Sequence, residues 1–186
     1  MTVMIAMLRG VNVLGRNQIK MDVLRTICAG LKFESAQTYV QSGNVVFATP
    51  ERNLSAVAKR LEDAIEKELG FRPAVVLRTA AEMRQVLARN PFAARDLDGS
   101  KFAVTFFAQP LTPETRKQIE TSQVGPEEIH AHPRELYIYF PDGIGRSKLP
   151  AVIDRLTKKT GTARNWNSVT KMMEMAAAVE SGASKL

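Results

Sequence analysis

Two stretches of this chain, Met4 to Leu8 and Phe102 to Ala108, are apolar at nearly every position, and each opens the same succession of patterns. Side chains alternate between the two faces of a strand, so a strand that is apolar throughout must be covered on both. Each stretch therefore reads as the central strand of its own sheet.

After the first stretch, Arg9-Gly10 begins a polar loop that runs through Asn17. Met21 to Ala29 follows as a helix, with Met21, Leu24, Ile27 and Cys28 on one side and Gly30 as its stop. Ala36 to Gln41 and Asn44 to Ala48 flank Ser42-Gly43 as a hairpin. Asn53 caps the clearest helix, in which Leu54, Val57, Ala58, Leu61, Ala64, Ile65 and Leu69 keep a 3.6-residue period until Gly70. Pro73 to Arg78 is a fourth strand, so the order is β-α-β-β-α-β. A linking helix, Ala80 to Ala88, and a loop marked by Asn90-Pro91 and Asp98-Gly99 come next.

The same order then returns. Lys101 to Ala108 is a strand, Pro113 to Thr121 a helix, and Glu128 to Ala131 with Glu135 to Phe140 a second hairpin around His132-Pro133. Leu149, Val152, Ile153 and Leu156 mark a helix, Gly161 to Ala163 a brief strand, and Trp166 to Val179 a final helix. The expected fold is α+β, with two tandem ferredoxin-like βαββαβ units packed together, a linking helix and an extra C-terminal helix. The units fall at residues 1–79 and 101–163, with the linker at 80–100 and the C-terminal helix and tail at 164–186. In a lone unit of this kind helices cover one sheet face only, so the two all-apolar strands require a second cover.

A chain of 186 residues buries roughly 70% of its unfolded surface without a covalent staple. Its single cysteine, Cys28, makes no intrachain disulfide and sits among apolar helix residues as an inert thiol. No Cys/His cluster has zinc spacing, so a reducing, cytoplasmic location is expected and no metal. Whether a cofactor is used is left open. Met1 to Leu8 is too short for a signal peptide, and no apolar stretch nears the roughly 18 residues of a membrane helix, so no membrane association is expected. The oligomeric state is left open. The net charge is +7 and the pI about 9.8, which suits an anionic partner, a small molecule or nucleic acid. The excess lies in the first half, where residues 1–90 carry 13 basic and 8 acidic side chains.

With strand order 4-1-3-2, the loop after strand one and the turn between strands two and three share an edge. In the first half these are Arg9-Gly10-Val11-Asn12, with Lys20 beyond it, and Gln41-Ser42-Gly43-Asn44. In the second half the loop Gly143 to Lys148, with Arg146, Ser147 and Lys148, is expected beside the end of strand four, with Arg164, Asn165 and Asn167. Each cluster joins Gly, which admits close backbone approach, to cations and side-chain amides. Gly143 to Lys148 feeds a helix N-terminus, where Ser147 is placed either to cap the helix or to touch a phosphate oxygen. It is not a Walker A loop, because the glycine spacing is wrong and the Lys-Ser order inverted.

Leu8-Arg9-Gly10-Val11-Asn12-Val13, Tyr39 to Phe47, Gly145 to Leu149 and Ala163 to Lys171 together resemble the signature blocks of the domain of unknown function 1697 family. The likeness spans nearly the whole chain and implies a bacterial-type α+β protein of the duplicated ferredoxin-like kind. It implies no activity. One departure is Leu14 before Gly15, where the family tends to carry a Gly pair.

Three functional readings follow. The first is binding of a phosphorylated, nucleotide or nucleic-acid ligand through the cations and amides of the two clusters. An RNA-recognition-motif version is disfavoured, since the strand Asn44 to Ala48 offers Phe47 alone. The second is an enzyme acting on a phosphorylated or nucleotide-like small molecule, although the four blocks contain no His, Cys, Asp or Glu to serve as general base. The third makes the motifs purely structural. Under it Ser42-Gly43 is a tight turn, Asn12 braces its own loop, Trp166 is core, and His130 and His132 are turn histidines.

Overall fold

β1 (Thr2–Leu8) is buried from Val3 onward, as its uninterrupted apolar run requires. The computed structural model describes residues 1–122 and 124–182; the last four residues of the expected tail lie outside the described residues. β1 pairs antiparallel with β3 (Asn44–Thr49) on one side and β4 (Val75–Thr79) on the other, and β2 (Glu34–Tyr39) adds to β3. The order β2-β3-β1-β4 is the one expected. α1 (Met21–Gly30) and α2 (Leu54–Leu69) lie between the strands in sequence.

The register sorts the first sheet into two faces. Met4, Ala6, Leu8, Val45, Phe47, Val75 and Leu77 form one core with Leu24 and Cys28 of α1 and Val57, Leu61 and Ile65 of α2. The alternate residues Ile5, Met7, Val46 and Val76 are buried as well, and so is the guanidinium-bearing Arg78. Both faces are thus covered.

α2 begins where Asn53 accepts a hydrogen bond from the Ala56 amide and ends where Gly70 turns left-handed at φ 76°. α1 departs from expectation at its end. Gly30 is its last residue, and the chain reverses at Lys32, at φ 59°. A bulge between Glu34 and Gln37, with Ser35 at φ 53°, shifts β2 two residues earlier than its pattern suggests.

The second sheet repeats the scheme. β5 (Phe102–Phe106) lies between β7 (Glu135–Tyr139) and β8 (Thr162–Asn165), with β6 (Glu128–Ala131) outside β7, in the order β6-β7-β5-β8. α4 (Pro113–Thr121) and α5 (Leu149–Leu156) contribute Ile119, Leu149 and Ile153 to its core. On the alternate face Phe102 stacks on Trp166 at 4.6 Å and meets Phe92 edge-on at 5.1 Å, while the Tyr137 hydroxyl donates to the Val86 carbonyl at 2.8 Å. Trp166 is therefore packing. His130 and His132 set their rings against Phe92 and Tyr137.

α3 (Ala80–Ala88) and α6 (Trp166–Glu180) complete the six α-helices among the described residues. The chain divides into two units, one from Met1 to Gln85 joined by the chain from Lys171, the other from Val86 to Thr170. Within the first, Arg84 grips Glu180 with both guanidinium nitrogens, at 2.7 and 3.2 Å. No helix of the described residues is long and apolar enough to cross a membrane.

Cys28 is buried in the α1 core, and that burial pushes its thiol from 9.0 up to about 12. The folded protein should not react with a thiol reagent under conditions where the unfolded chain does so at once. The folded state disfavours the thiolate, so this contribution to stability is complete below about pH 9 and is lost as pH rises toward 12. Cys28→Ala should flatten that part of the stability profile in a denaturant titration, and an unchanged alkaline slope would contradict the assignment.

Candidate functional site

The left-handed residues at the end of β1 build the first cluster. Gly10 (φ 65°) and Asn12 (φ 54°) turn the chain out of the sheet, and Asn12 then ties the loop together. Its Oδ1 accepts from the Ile19 amide at 2.8 Å, and its Nδ2 donates to the carbonyls of Ile19 at 3.0 Å and Gln41 at 2.7 Å. Asn17 Nδ2 donates to the Gly10 carbonyl at 3.1 Å. Arg9 donates its backbone N–H to Ala74.

The hairpin turn is fixed from the other side. Asn44, fully buried, donates to the Tyr39 carbonyl and to Ser42 Oγ, both at 3.0 Å. Gly43, at φ 77°, accepts from the Leu8 amide at 2.9 Å. The loop after β1 and the β2-β3 turn thus share an edge, as the topology requires.

Between them opens a cleft of about 610 Å³, lined by Asn12, Gly15, Gln18, Lys20, Arg25 and Gln41, together with Ile19, Met21 and Asp22. It lies over the start of α1. Lys20 is the N-cap and makes no side-chain cap bond, so the helix dipole points its positive end into the cleft. Arg25 Nη1 donates to Thr38 Oγ1 at 2.6 Å, which holds its guanidinium over β2. Asp22 opposes the two cations but accepts from the Val23 amide at 2.9 Å. Two cations, the side-chain amides of Gln18 and Gln41 and a helix start can together hold a small anion, while Asn12, with both Nδ2 hydrogens given to carbonyls, positions the loop.

The second cluster assembles differently. A single 3₁₀ turn, Ile144–Arg146, leads into α5. Ser147 Oγ, one residue before the N-cap Lys148, accepts from the Leu149 amide at 3.0 Å. Its hydroxyl donates to Glu127 Oε1 in a short bond. Glu127, only 5% exposed, precedes β6, whose start lies beside the end of β7. This second cleft, of about 500 Å³, is lined by Glu127, Asp142, Arg146, Ser147 and Lys148 with Pro126, Pro141 and neighbours.

Arg164, Asn165 and Asn167 do not line it. Arg164 is buried in β8, where Nη1 donates to Thr162 Oγ1 at 2.9 Å and the Ala163 carbonyl at 2.8 Å. Burial lowers its pKa to about 10. Asn165 Oδ1 accepts from the Ser168 amide at the start of α6, and Asn167 packs on Gly99, where a Cβ would stand 2.2 Å from its Oδ1. The expected juxtaposition of Lys148 and Arg164 is replaced by one of Lys148 and Glu127. The carboxylate missing from the motif blocks is therefore supplied by the chain between α4 and β6, where no periodicity marks it.

These features define an α+β protein with two four-stranded antiparallel sheets and six α-helices among the described residues. Residues 1–137 match the family described as protein of unknown function (DUF1697), and the chain belongs to that family. Its fold is similar to a solved structure described as that of the conserved bacterial protein SP0830 from Streptococcus pneumoniae. The TM-score is 0.76 at 21% sequence identity, covering 94% of this chain and 98% of that one. At that identity the likeness speaks for the fold alone. No curated protein matches the sequence.

Proposed function

We propose that the protein binds an anionic, phosphorylated ligand in the cleft over the start of α1. The observation that carries this reading is the convergence of Lys20, Arg25, Gln18 and Gln41 on a helix start whose N-cap residue, Lys20, makes no side-chain cap bond. The phosphate accepts from the Met21 and Asp22 amides and from Lys20, the Val23 amide being held by Asp22, and Gln18 and Gln41 orient what the phosphate is attached to. Titration of the protein with pyrophosphate, followed by amide chemical shifts, tests it. Shifts should concentrate at Gln18 to Asp22 and Gln41, and Lys20→Ala should weaken binding by about 10-fold. Shifts spread evenly over the surface, or an unaffected Lys20→Ala variant, would remove the reading.

The second cleft supports the structural reading of its motif. Ser147 is engaged on both sides, and Glu127 already places a carboxylate at the start of α5. The enzyme alternative draws its one support from that same carboxylate, a general base next to a hydroxyl.

We also read the chain as two tandem ferredoxin-like units, residues 1–79 and 101–163, derived from one duplicated element. Besides the shared strand order, a buried arginine recurs at one register position. Arg78 stands opposite Ile5 on the central strand, and Arg164 stands opposite Val104. Each donates Nη1 to the carbonyl of the residue before it, at 2.9 and 2.8 Å.

A further inference from the structure

Leu14 and Val40 are costly residues in the positions they hold. Both lie at positive φ, 50° and 51°, where side chains other than Asn and Asp are disfavoured and a β-branched one is an outlier. Both are also exposed, Leu14 at 96% and Val40 at 48%, and Val13 beside them at 54%. None of the three belongs to the core of the first unit. Strain and exposure falling together on apolar residues of two separate loops point to a contact with something outside the chain. The two loops form one surface, because Asn12, which precedes Val13, donates to the carbonyl of Gln41, which follows Val40.

The geometry at Leu14 limits what that contact is. Val13 to Arg16 is a two-residue turn closed by the Arg16 amide on the Val13 carbonyl at 2.9 Å, with Leu14 and Gly15 both left-handed. This is type I′ geometry, in which Asn-Gly is the favoured pair. Leu14 is therefore a convex apolar tip. A small molecule in the adjoining cleft does not bury such a tip; it is buried only by entering something larger. Around it stand the cations Arg16 and Lys20 and the amides of Asn17, Gln18 and Gln41, while the segments 9–25 and 39–44 contain no Trp or Phe. Lipid interfaces are entered by the long apolar face of an amphipathic helix, built of Trp, Phe and Leu together, whereas the apolar tip here is one Leu on a two-residue turn. A nucleic-acid strand offers phosphates to cations, base edges to amides and base faces to an apolar wedge.

We propose that this edge of the first unit binds a nucleic-acid strand, with Leu14 inserted between neighbouring bases, Val13 and Val40 flanking it, and a strand phosphate in the Lys20 cleft. The inference rests on the cleft reading for its phosphate contact. It uses loops at a sheet edge rather than a sheet face, so the absence of RNA-recognition-motif aromatics from β3 does not bear on it.

The test uses a short fluorescein-labelled single strand and a second copy carrying 2-aminopurine, with the full chain, Leu14→Asn and Lys20→Ala. Asn suits the left-handed turn, so Leu14→Asn should melt no lower than the parent. The parent should bind with affinity that falls steeply between about 50 and 200 mM salt, and binding should raise 2-aminopurine emission as bases unstack. Leu14→Asn should weaken binding by about 10-fold, from the lost burial of the Leu side chain, and abolish the rise in emission. Absence of strand binding at low salt would overturn the inference, as would emission that stays flat on binding or a Leu14→Asn variant that behaves as the parent. Leu14-dependent binding to phosphatidylglycerol vesicles with no strand binding would overturn it in favour of a lipid surface. Pyrophosphate binding without strand binding would sink the inference and leave the cleft reading. Leu14-dependent strand binding untouched by Lys20→Ala would do the reverse.

Discussion

Gly43→Ala is expected to destabilise the protein by about 2–5 kcal/mol. A Cβ at this position would stand 2.6 Å from Val11 Cγ2 and 2.9 Å from Leu8 Cβ, and both neighbours are buried and unable to retreat. Forcing a methyl into such a space costs about 1–3 kcal/mol, and holding a non-glycine residue at φ 77° adds about 1–2 kcal/mol. For a chain of this length the loss corresponds to a fall of roughly 4–20 °C in the melting midpoint. Gly10→Ala is the internal control. Gly10 is also left-handed, at φ 65°, but nothing lies within 4 Å of its Cβ position, so only the conformational part remains. Equal midpoints for the two variants would show that the contact with Leu8 and Val11 is not what requires glycine at position 43.

Asn12→Ala should have the second largest effect, concentrated in the cleft. It removes three hydrogen bonds, to the Ile19 amide and to the carbonyls of Ile19 and Gln41, each worth about 1 kcal/mol. It also leaves alanine at φ 54°. A loss of about 2–4 kcal/mol is expected, but the loop can open by itself, so much of it should appear as local unfolding. Hydrogen exchange at the Ile19 amide should accelerate far more than exchange in β1. Pyrophosphate affinity should fall with it, since Asn12 is what holds the Lys20 segment against the turn at Gln41. Asn12→Gly relieves the backbone strain without restoring the bonds and should recover only about 1 kcal/mol. Full recovery by glycine would mean that the side-chain bonds contribute little.

Where the sequence carries strong periodicity, it locates the structure closely. The apolar runs of β1 and β5, the 3.6-residue period of α2 and the Pro113 start of α4 are all realised. The misplacements have local causes. β2 ends at Tyr39 because Val40 turns left-handed, and it starts early because of the bulge near Ser35. β8 runs on to Asn165 because Arg164 and Asn165, whose polarity reads as loop, continue the pairing with β5.

The candidate site divides in the same way. Strand order suffices to bring Asn12 to Gln41, because both ends of that contact are anchored in neighbouring strands. It does not suffice for the second cluster. Arg164 reads as a surface cation but points into a sheet, and Glu127 reads as loop polarity but is buried against Ser147. Burial of a charged side chain is decided by partners distant in sequence, which composition and spacing do not reveal.

The bulge in β2 has a consequence for the behaviour of the protein at high concentration. Two open sheets of four strands leave β2, β4, β6 and β8 as edges, each with backbone donors and acceptors turned outward. A flat edge of that kind recruits strands from other molecules. In β2 the left-handed Ser35 breaks the regular spacing of those groups, and the exposed carboxylate of Glu34 sits beside the break. β6 is only four residues long and runs into Pro133 two residues after its end. In β2 the irregularity that shifts the strand from its sequence pattern is also what keeps it from templating aggregation, and in β6 shortness and the nearby proline do the same.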